Sequence, residues 1–314
     1  MAVIEIEGLT KDYGHGRGVF DVSFRVEEGE VYGFLGPNGA GKTTTIRHIM
    51  GFLKPQSGSV KVGGLDSWVH PREIHRNLGY LPGEIAFPET MSGTEFLRMM
   101  ADLRGIRDMA HVRRLMERFE LDPSGSLKQM SLGTKRKLAI VTAFMHDPAV
   151  LVLDEPTSGL DPIMQSVFVE FIREEKARGK TILMSSHIFR EVEASCDTVS
   201  IIKDGRLVAD FAADDWRNRP ETIYELRFVS KEEYDRFARE AGARRDFAVG
   251  SLEPGENLAV VTVREEAINE FVAFLAGYEL ASLSEIRQSL EDAFMKFYGR
   301  DMDGAGRPET NGAH

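Results

Sequence analysis

Gly36-Pro37-Asn38-Gly39-Ala40-Gly41-Lys42-Thr43 sets glycines, a lysine and a hydroxyl at the spacing G-x-x-x-x-G-K-[ST]. Chance would give roughly 0.01 such matches in a chain of this composition. The glycines let backbone N–H groups turn inward around phosphate oxygens, and a helix opening at the loop's end adds its positive dipole. Lys42 then reaches the β- and γ-phosphates and the Thr43 hydroxyl suits a Mg²⁺ ligand. Downstream, Val150-Leu151-Val152-Leu153-Asp154-Glu155 is an apolar run that ends in two adjacent carboxylates. At a strand tip Asp154 suits metal holding, and Glu155 suits orienting or deprotonating a water. An acid pair after a strand is, alone, as often a solvated strand end. Beside a phosphate loop it reads as phosphoryl transfer to water.

These residues need strands to carry them. Over about the first 215 residues short apolar runs alternate with helical patterns, the rhythm of a mixed or parallel α/β sheet. Strands are expected at residues 3–6, 19–26, 31–35, 150–153, 181–185 and 199–202. A helix is expected from Lys42 to Met50, stopped near Gly51 with Pro55 beyond. Residues 94–120 are helical and rich in Leu, Met and Arg, and their Phe96, Leu97, Met99, Met100 and Leu103 stripe reads as core packing of a small helical subdomain. Asp204-Gly205 reads as a hairpin turn into a strand at 206–211. After Pro220 the pattern becomes strand 222–229, helix 232–241, strands near 244–249 and 258–263, helix 265–276, strand 281–286 and helix 289–298. That βαββαβ order is ferredoxin-like. Residues 301–314 lack periodicity and read as a flexible tail.

Composition narrows the class. With 39 Lys and Arg against 50 Asp and Glu, the 314-residue chain carries −11 charges, which argues against a sequence-independent grip on nucleic acid. Cys196 is the only cysteine, so no intrachain disulfide is expected and a reducing compartment fits. Glu5 and Glu7 stand where a signal peptide would need positive charge and an apolar core. No stretch approaches the ~20 apolar residues of a membrane helix, so any membrane role is expected to come through a partner chain.

The segment Asp154-Glu155-Pro156-Thr157-Ser158-Gly159-Leu160-Asp161, with the phosphate loop and Ser185-Ser186-His187, resembles the nucleotide-binding subunit of an ABC transporter. The likeness spans about residues 1–215 and is specific, because the motifs fall in the family's order and spacing. It implies a P-loop ATPase of ABC type, with a mixed-sheet core over residues 1–217 and a helical subdomain at about 85–147, and an accessory α+β domain at 221–300. It also implies roles for single residues. Tyr13 matches the aromatic that stacks on adenine, and His187 the histidine that contacts the γ-phosphate. Lys42, Glu155 and His187 form the implied catalytic set. Thr43, Asp154 and Glu84 form the implied Mg²⁺ set. Nucleotide contacts are implied for Tyr13, Gly36, Pro37, Asn38, Gly39, Ala40, Gly41, Lys42, Thr43, Thr44 and Asp161. Ser131 and Gly133 complete that set, directing a hydroxyl and a backbone N–H at the γ-phosphate of a facing cassette.

Two departures mark this chain. The family's Leu-Ser-Gly-Gly-Gln stretch is Met130-Ser131-Leu132-Gly133-Thr134 here, so Leu132 and Thr134 differ, and Ser131 also suits a helix cap. The family's Gln that touches Mg²⁺ is Gly83, with Glu84 next; a carboxylate can ligate the ion but cannot donate as an amide does. Both departures, and the ending Ser289 to Gly299, resemble the drug and antibiotic exporter branch.

The resemblance therefore implies ATP and Mg²⁺ as ligands and a head-to-tail homodimer sandwiching ATP. It implies a separate transmembrane permease, reached at the cytoplasmic face of the membrane, with export as the direction. Two alternatives stand beside this reading. A regulatory module with little hydrolysis is motivated by Gly83 and Leu132. A soluble family member acting on ribosomes or DNA is opposed by the single cassette and the negative charge.

Overall fold

Alternation interrupted by register shifts builds the first sheet. In β1 (Ala2–Asp12) and β2 (Gly18–Glu27), Ile4, Ile6, Leu9, Val22, Phe24 and Val26 are buried, while Glu7, Ser23, Arg25 and Glu27 face outward. With β4 (Ser57–Val62) and the short β5 (Leu65–Asp66) they form an antiparallel sheet in the order β2-β1-β4-β5. The computed structural model describes residues 1–212, 221–242, 244, 247–286 and 291, and divides into the units Met1–Ala213 and Asp214–His314.

The second sheet of the first unit carries the chemistry. Here β3 (Val31–Leu35) and β8 (Thr181–Ser186) are buried at every position, and β7 (Val150–Asp154) at all but its first. Continuous apolar runs of this kind belong to strands covered on both faces. They join β6 (Leu78–Leu81), β9 (Thr198–Lys203) and β10 (Arg206–Ala212) in the order β10-β9-β3-β8-β7-β6. All pairings are parallel except β9 with β10, a hairpin whose turn residues Asp204 and Gly205 both have positive φ. Parallel pairing brings the carboxyl ends of β3, β6, β7 and β8 to one edge, the ligand-binding edge of open α/β sheets.

Helices fill the connections. They are α1 (Lys42–Ile49), α2 (Pro71–Arg76), α3 (Gly93–Arg104), α4 (Ala110–Arg118), α5 (Leu132–Phe144), α6 (Pro162–Ala177) and α7 (Phe189–Ser195). Helix α3 starts on a capping box in which Ser92 and Glu95 satisfy each other's backbone N–H groups, and it stops at Gly105 in the left-handed region. Its Phe96, Leu97 and Ala101 are buried, as are Val112 and Leu115 of α4, but Leu103 is 75% exposed. The Leu and Met stripe of residues 94–103 is thus core only in part. Cys196, just past α7, lies against Gly33 of β3; a Cβ on that glycine would sit 2.9 Å from the Cys196 sulfur. No helix among the described residues is long and apolar enough to cross a membrane.

The second unit has one sheet and an aromatic core. Strands β11 (Glu221–Phe228), β12 (Phe247–Glu253), β13 (Leu258–Arg264) and β14 (Leu280–Ile286) pair antiparallel in the order β12-β13-β11-β14. Helices α8 (Lys231–Ala241) and α9 (Ile268–Leu275) supply Tyr234, Phe237, Phe271 and Leu275 to a core shared with Leu226, Phe228, Phe247 and Val261. The strand expected at 244–249 falls later, at Phe247–Glu253, and the helix expected at 265–276 opens with a 3₁₀ turn at Glu265–Ala267. The helix expected at 289–298 and the tail at 301–314 lie outside the described residues, Glu291 apart.

Candidate functional site

The phosphate loop sits between β3 and α1. Gly41 is the residue preceding the helix and takes φ +112°, a conformation open to glycine and strained for anything with a Cβ. From the first turn of α1, Lys42 folds back over the loop: its ammonium donates to the carbonyls of Gly36 (2.5 Å) and Pro37 (3.1 Å). The loop is held in turn by the Ala40 N–H on the Pro37 carbonyl and by Gly205 N–H on the Ala40 carbonyl. Thr44 contributes its carbonyl to His48 Nδ1 within α1.

Next to the loop, β7 delivers its two acids in different ways. Asp154 is fully buried; its Oδ2 accepts from Thr43 Oγ1 (2.8 Å) and its Oδ1 from Ser185 Oγ (2.5 Å) on the neighbouring strand β8. Glu155 leaves the strand with φ +49°, left-handed for a residue with a side chain. That turn, which costs about 1–2 kcal/mol, aims its carboxylate back at the loop. There Oε1 lies 3.1 Å from Lys42 Nζ and Oε2 lies 2.6 Å from His187 Nδ1. The Glu155 N–H donates to Ser185 Oγ (3.1 Å), so one serine hydroxyl fixes both acids. Behind His187, Glu191 of α7 accepts from Ser186 Oγ; burial pushes its carboxyl above the usual carboxylate range, with the hydrogen bonds from Thr157 and Ser186 opposing.

A cavity of about 340 Å³ opens at this edge, lined by Asn38, Thr43, Glu84, Glu155 and His187 among the expected residues. Arg47, Tyr80, Pro82, Gly83 and Ser158 complete it. Burial, then the charge of Asp154, pushes the Tyr80 hydroxyl up to about 12, so it stays a neutral donor. Gly83 comes so close to Asp154 that a Cβ there would lie 3.0 Å from Oδ2, and Glu84 is exposed at the rim. Oxygen ligands alone, from Thr43, Asp154 and Glu84, are what a hard divalent ion takes, and Glu155 Oε1 is paired with the loop lysine beside them. The set fits Mg²⁺ carried in with phosphate. No cluster of three His, Cys, Asp or Glu side chains among the described residues makes a metal cage by itself.

Other expected residues lie away from this cavity. Tyr13 follows β1 half-exposed, its N–H bonded to the Arg17 carbonyl and its ring 5.8 Å from Lys11 Nζ. Ser131 caps α5, accepting from the Thr134 N–H at 3.1 Å, and Gly133 packs against the Gly159 carbonyl. Asp161 caps α6 through bonds from the Ile163 and Met164 N–H groups, both 3.0 Å.

Two residues were not expected. In the sequence Ser185 stands only as part of a motif, although a hydroxyl in a strand buried at every position is a signal that it has a polar partner. Arg136 is 3% exposed and spends its guanidinium on the carbonyls of Ser158, Pro82 and Gly83. Burial lowers its pKa, with the charges of Asp154 and Glu155 acting the other way. Nothing in Thr134-Lys135-Arg136-Lys137 distinguishes it from its solvated neighbours.

Comparison with known proteins gives consistent findings. The family profile described as ABC transporter matches residues 19–158. The bacitracin transport ATP-binding protein BcrA of Bacillus licheniformis is 31% identical over 312 residues, covering 95% of this chain and 97% of that protein. The Nod factor export ATP-binding protein I of Burkholderia orbicola (strain AU 1054) is 32% identical over 96% of this chain and 99% of its own length. Among solved structures, one described as the structure of an ATP binding subunit of an ABC transporter superposes with TM-score 0.62 at 34% identity, covering 68% of this chain and 92% of that one.

Proposed function

Because this chain belongs to the ABC transporter family of ATP-binding subunits, we propose that it hydrolyses ATP to energise a separate transmembrane permease exporting a drug, antibiotic or other small molecule. The observation that carries the reading is the Glu155 carboxylate, held between Lys42 and His187 at the mouth of a phosphate loop. That the relatives just described are named for bacitracin transport and Nod factor export supports the export direction.

The backbone N–H groups of residues 36–43 and the Lys42 ammonium cradle the phosphates. Thr43 and Asp154, with Glu84 at the rim, would hold Mg²⁺, which would supply charge neutralisation on the phosphate oxygens. Glu155 orients the attacking water and accepts its proton, and the His187 ring fixes the carboxylate that does so. His187 then lies against the transferring phosphoryl group. Lys42 ties substrate to base through one ammonium, so positioning and charge stabilisation supply most of the catalysis. Tyr13 stacks on the base. Ser131 and Gly133, outside this cavity, act on the nucleotide of a second copy in a head-to-tail homodimer. The assembly sits at the cytoplasmic face of the membrane, attached through the permease. Residues 1–217 are the ATPase domain, and 221–300 an accessory domain.

Steady-state ATP hydrolysis with Mg²⁺, beside a Glu155→Gln control, tests the reading. The expected result is cooperative turnover in the wild type and a loss of at least about 100-fold in the control, with ATP binding retained and a dimer trapped. Firm binding without turnover in the wild type would replace the ATPase with a nucleotide-operated switch, the reading that Gly83 motivates.

A further inference from the structure

Arg136 stands at the second turn of α5 and reaches both loops that frame the cavity. Its Nε donates to the Ser158 carbonyl at 2.9 Å, its Nη1 to the Pro82 carbonyl at 3.0 Å and its Nη2 to the Gly83 carbonyl at 2.7 Å. Three backbone acceptors from two separate loops thus share one planar fork. One loop follows β6 and carries Glu84; the other follows β7 and carries Glu155 before it and Asp161 after it. The same helix starts at Ser131. Among the described residues the guanidinium bonds to main-chain carbonyls and to no carboxylate, so its work is on backbone, not on reacting atoms.

We infer that Arg136 is a positioning residue: it locks the Gly83–Glu84 turn and the Ser158–Gly159 turn to the helix headed by Ser131, so that the three segments move as one piece. Gly83 is where such a lock matters most. Glycine gives that turn the widest backbone freedom, yet its main chain must lie against the Asp154 carboxylate, where a Cβ would be 3.0 Å from Oδ2. A side chain at that position could restrain the turn by its own contacts; here the restraint comes from the guanidinium on the Gly83 carbonyl. Lysine cannot take its place, because an ammonium is a point donor and the three carbonyls are spread across a fork. The helix bearing Ser131, which serves a facing copy in the reading above, is thereby tied to the turns that hold Glu84 and follow Glu155.

The inference rests on the ATPase reading for its kinetic arm and on geometry alone for its exchange arm. The full chain is compared with Arg136→Gln and Arg136→Lys. In hydrogen–deuterium exchange without nucleotide, Arg136→Gln is expected to exchange at least about tenfold faster in both residues 83–86 and 157–160, with β7 and β8 unchanged and Arg136→Lys intermediate. Faster exchange in only one segment, in neither, or throughout the sheet would overturn the lock; the last would mean a plain loss of stability. In kinetics, kcat is expected to fall at least about tenfold while ATP affinity, measured in the Glu155→Gln background, stays within about twofold. An unchanged kcat, or equal losses in both, would also overturn it. A wild-type chain without turnover would instead sink the ATPase reading, and the exchange result would still judge Arg136.

Discussion

At the scale of single residues, the catalytic edge is a chain of bonds in which few atoms serve only one neighbour. Ser185 is the clearest case, since its hydroxyl donates to Asp154 and accepts from the Glu155 N–H. Ser185→Ala would leave a buried Asp154 oxygen without its partner, at a cost of about 1–3 kcal/mol, while the Glu155 N–H keeps the Ser185 carbonyl at 3.2 Å. The expected outcome is a melting temperature lower by several degrees and a kcat reduced more than ATP affinity. Melting curves beside initial rates check it, and unchanged values for both would show that water replaces the hydroxyl without loss. The phosphate loop and the Asp154-Glu155 pair were legible in the sequence because their spacing is imposed by the chemistry itself. Arg136 was not, because its role depends on two loops that lie far away in sequence, and a basic residue on a helix ordinarily reads as solvated.

At the scale of elements, wholly buried runs declared themselves: β3 spans the residues expected and β8 extends one residue past its expected end, whereas β1 runs on to Asp12 from an expected 3–6 and β4 was not expected. Four-residue β6, with Gly79 inside it, and the six-residue α2 have too few periods to rise above the background and were missed. Yet β6 is what carries Gly83 and Glu84 to the cavity. Its first carbonyl, on Leu78, is bonded to His146 Nε2 at 3.3 Å, leaving a buried Nδ1 without a partner. Burial first, then the nearby Arg104 and Lys180 charges, push this histidine down to about 4, with Asp147 opposing. Its folded value lies below the unfolded value of about 6.5, so the neutral ring contributes stability above that pH. That contribution is lost as pH falls toward 4. Thermal melts between pH 7 and 4 should therefore slope less steeply in His146→Gln than in the wild type; equal slopes would place the titration elsewhere.

At the scale of the whole molecule, the described site residues lie between Tyr13 and His187, inside the unit Met1–Ala213. The second unit brings an aromatic core of its own, with Phe237 against Phe228, Phe247 and Phe274. A chain ending at residue 213 is expected to melt cooperatively and to bind ATP within about twofold of the full chain. Loss of folding or of binding in that shortened chain would assign the second unit a structural share in the first.

The placement of Cys196 has an experimental consequence. The only thiol in the sequence is fully buried against β3, where reagents that need a solvent-exposed thiolate do not reach it. The native chain is therefore a silent background for chemical labelling. A cysteine introduced at exposed Leu132, beside Ser131, and carrying a spin or fluorescent probe would report how far apart two copies hold their helix α5 starts as nucleotide comes and goes, with every native residue around the phosphate loop left in place.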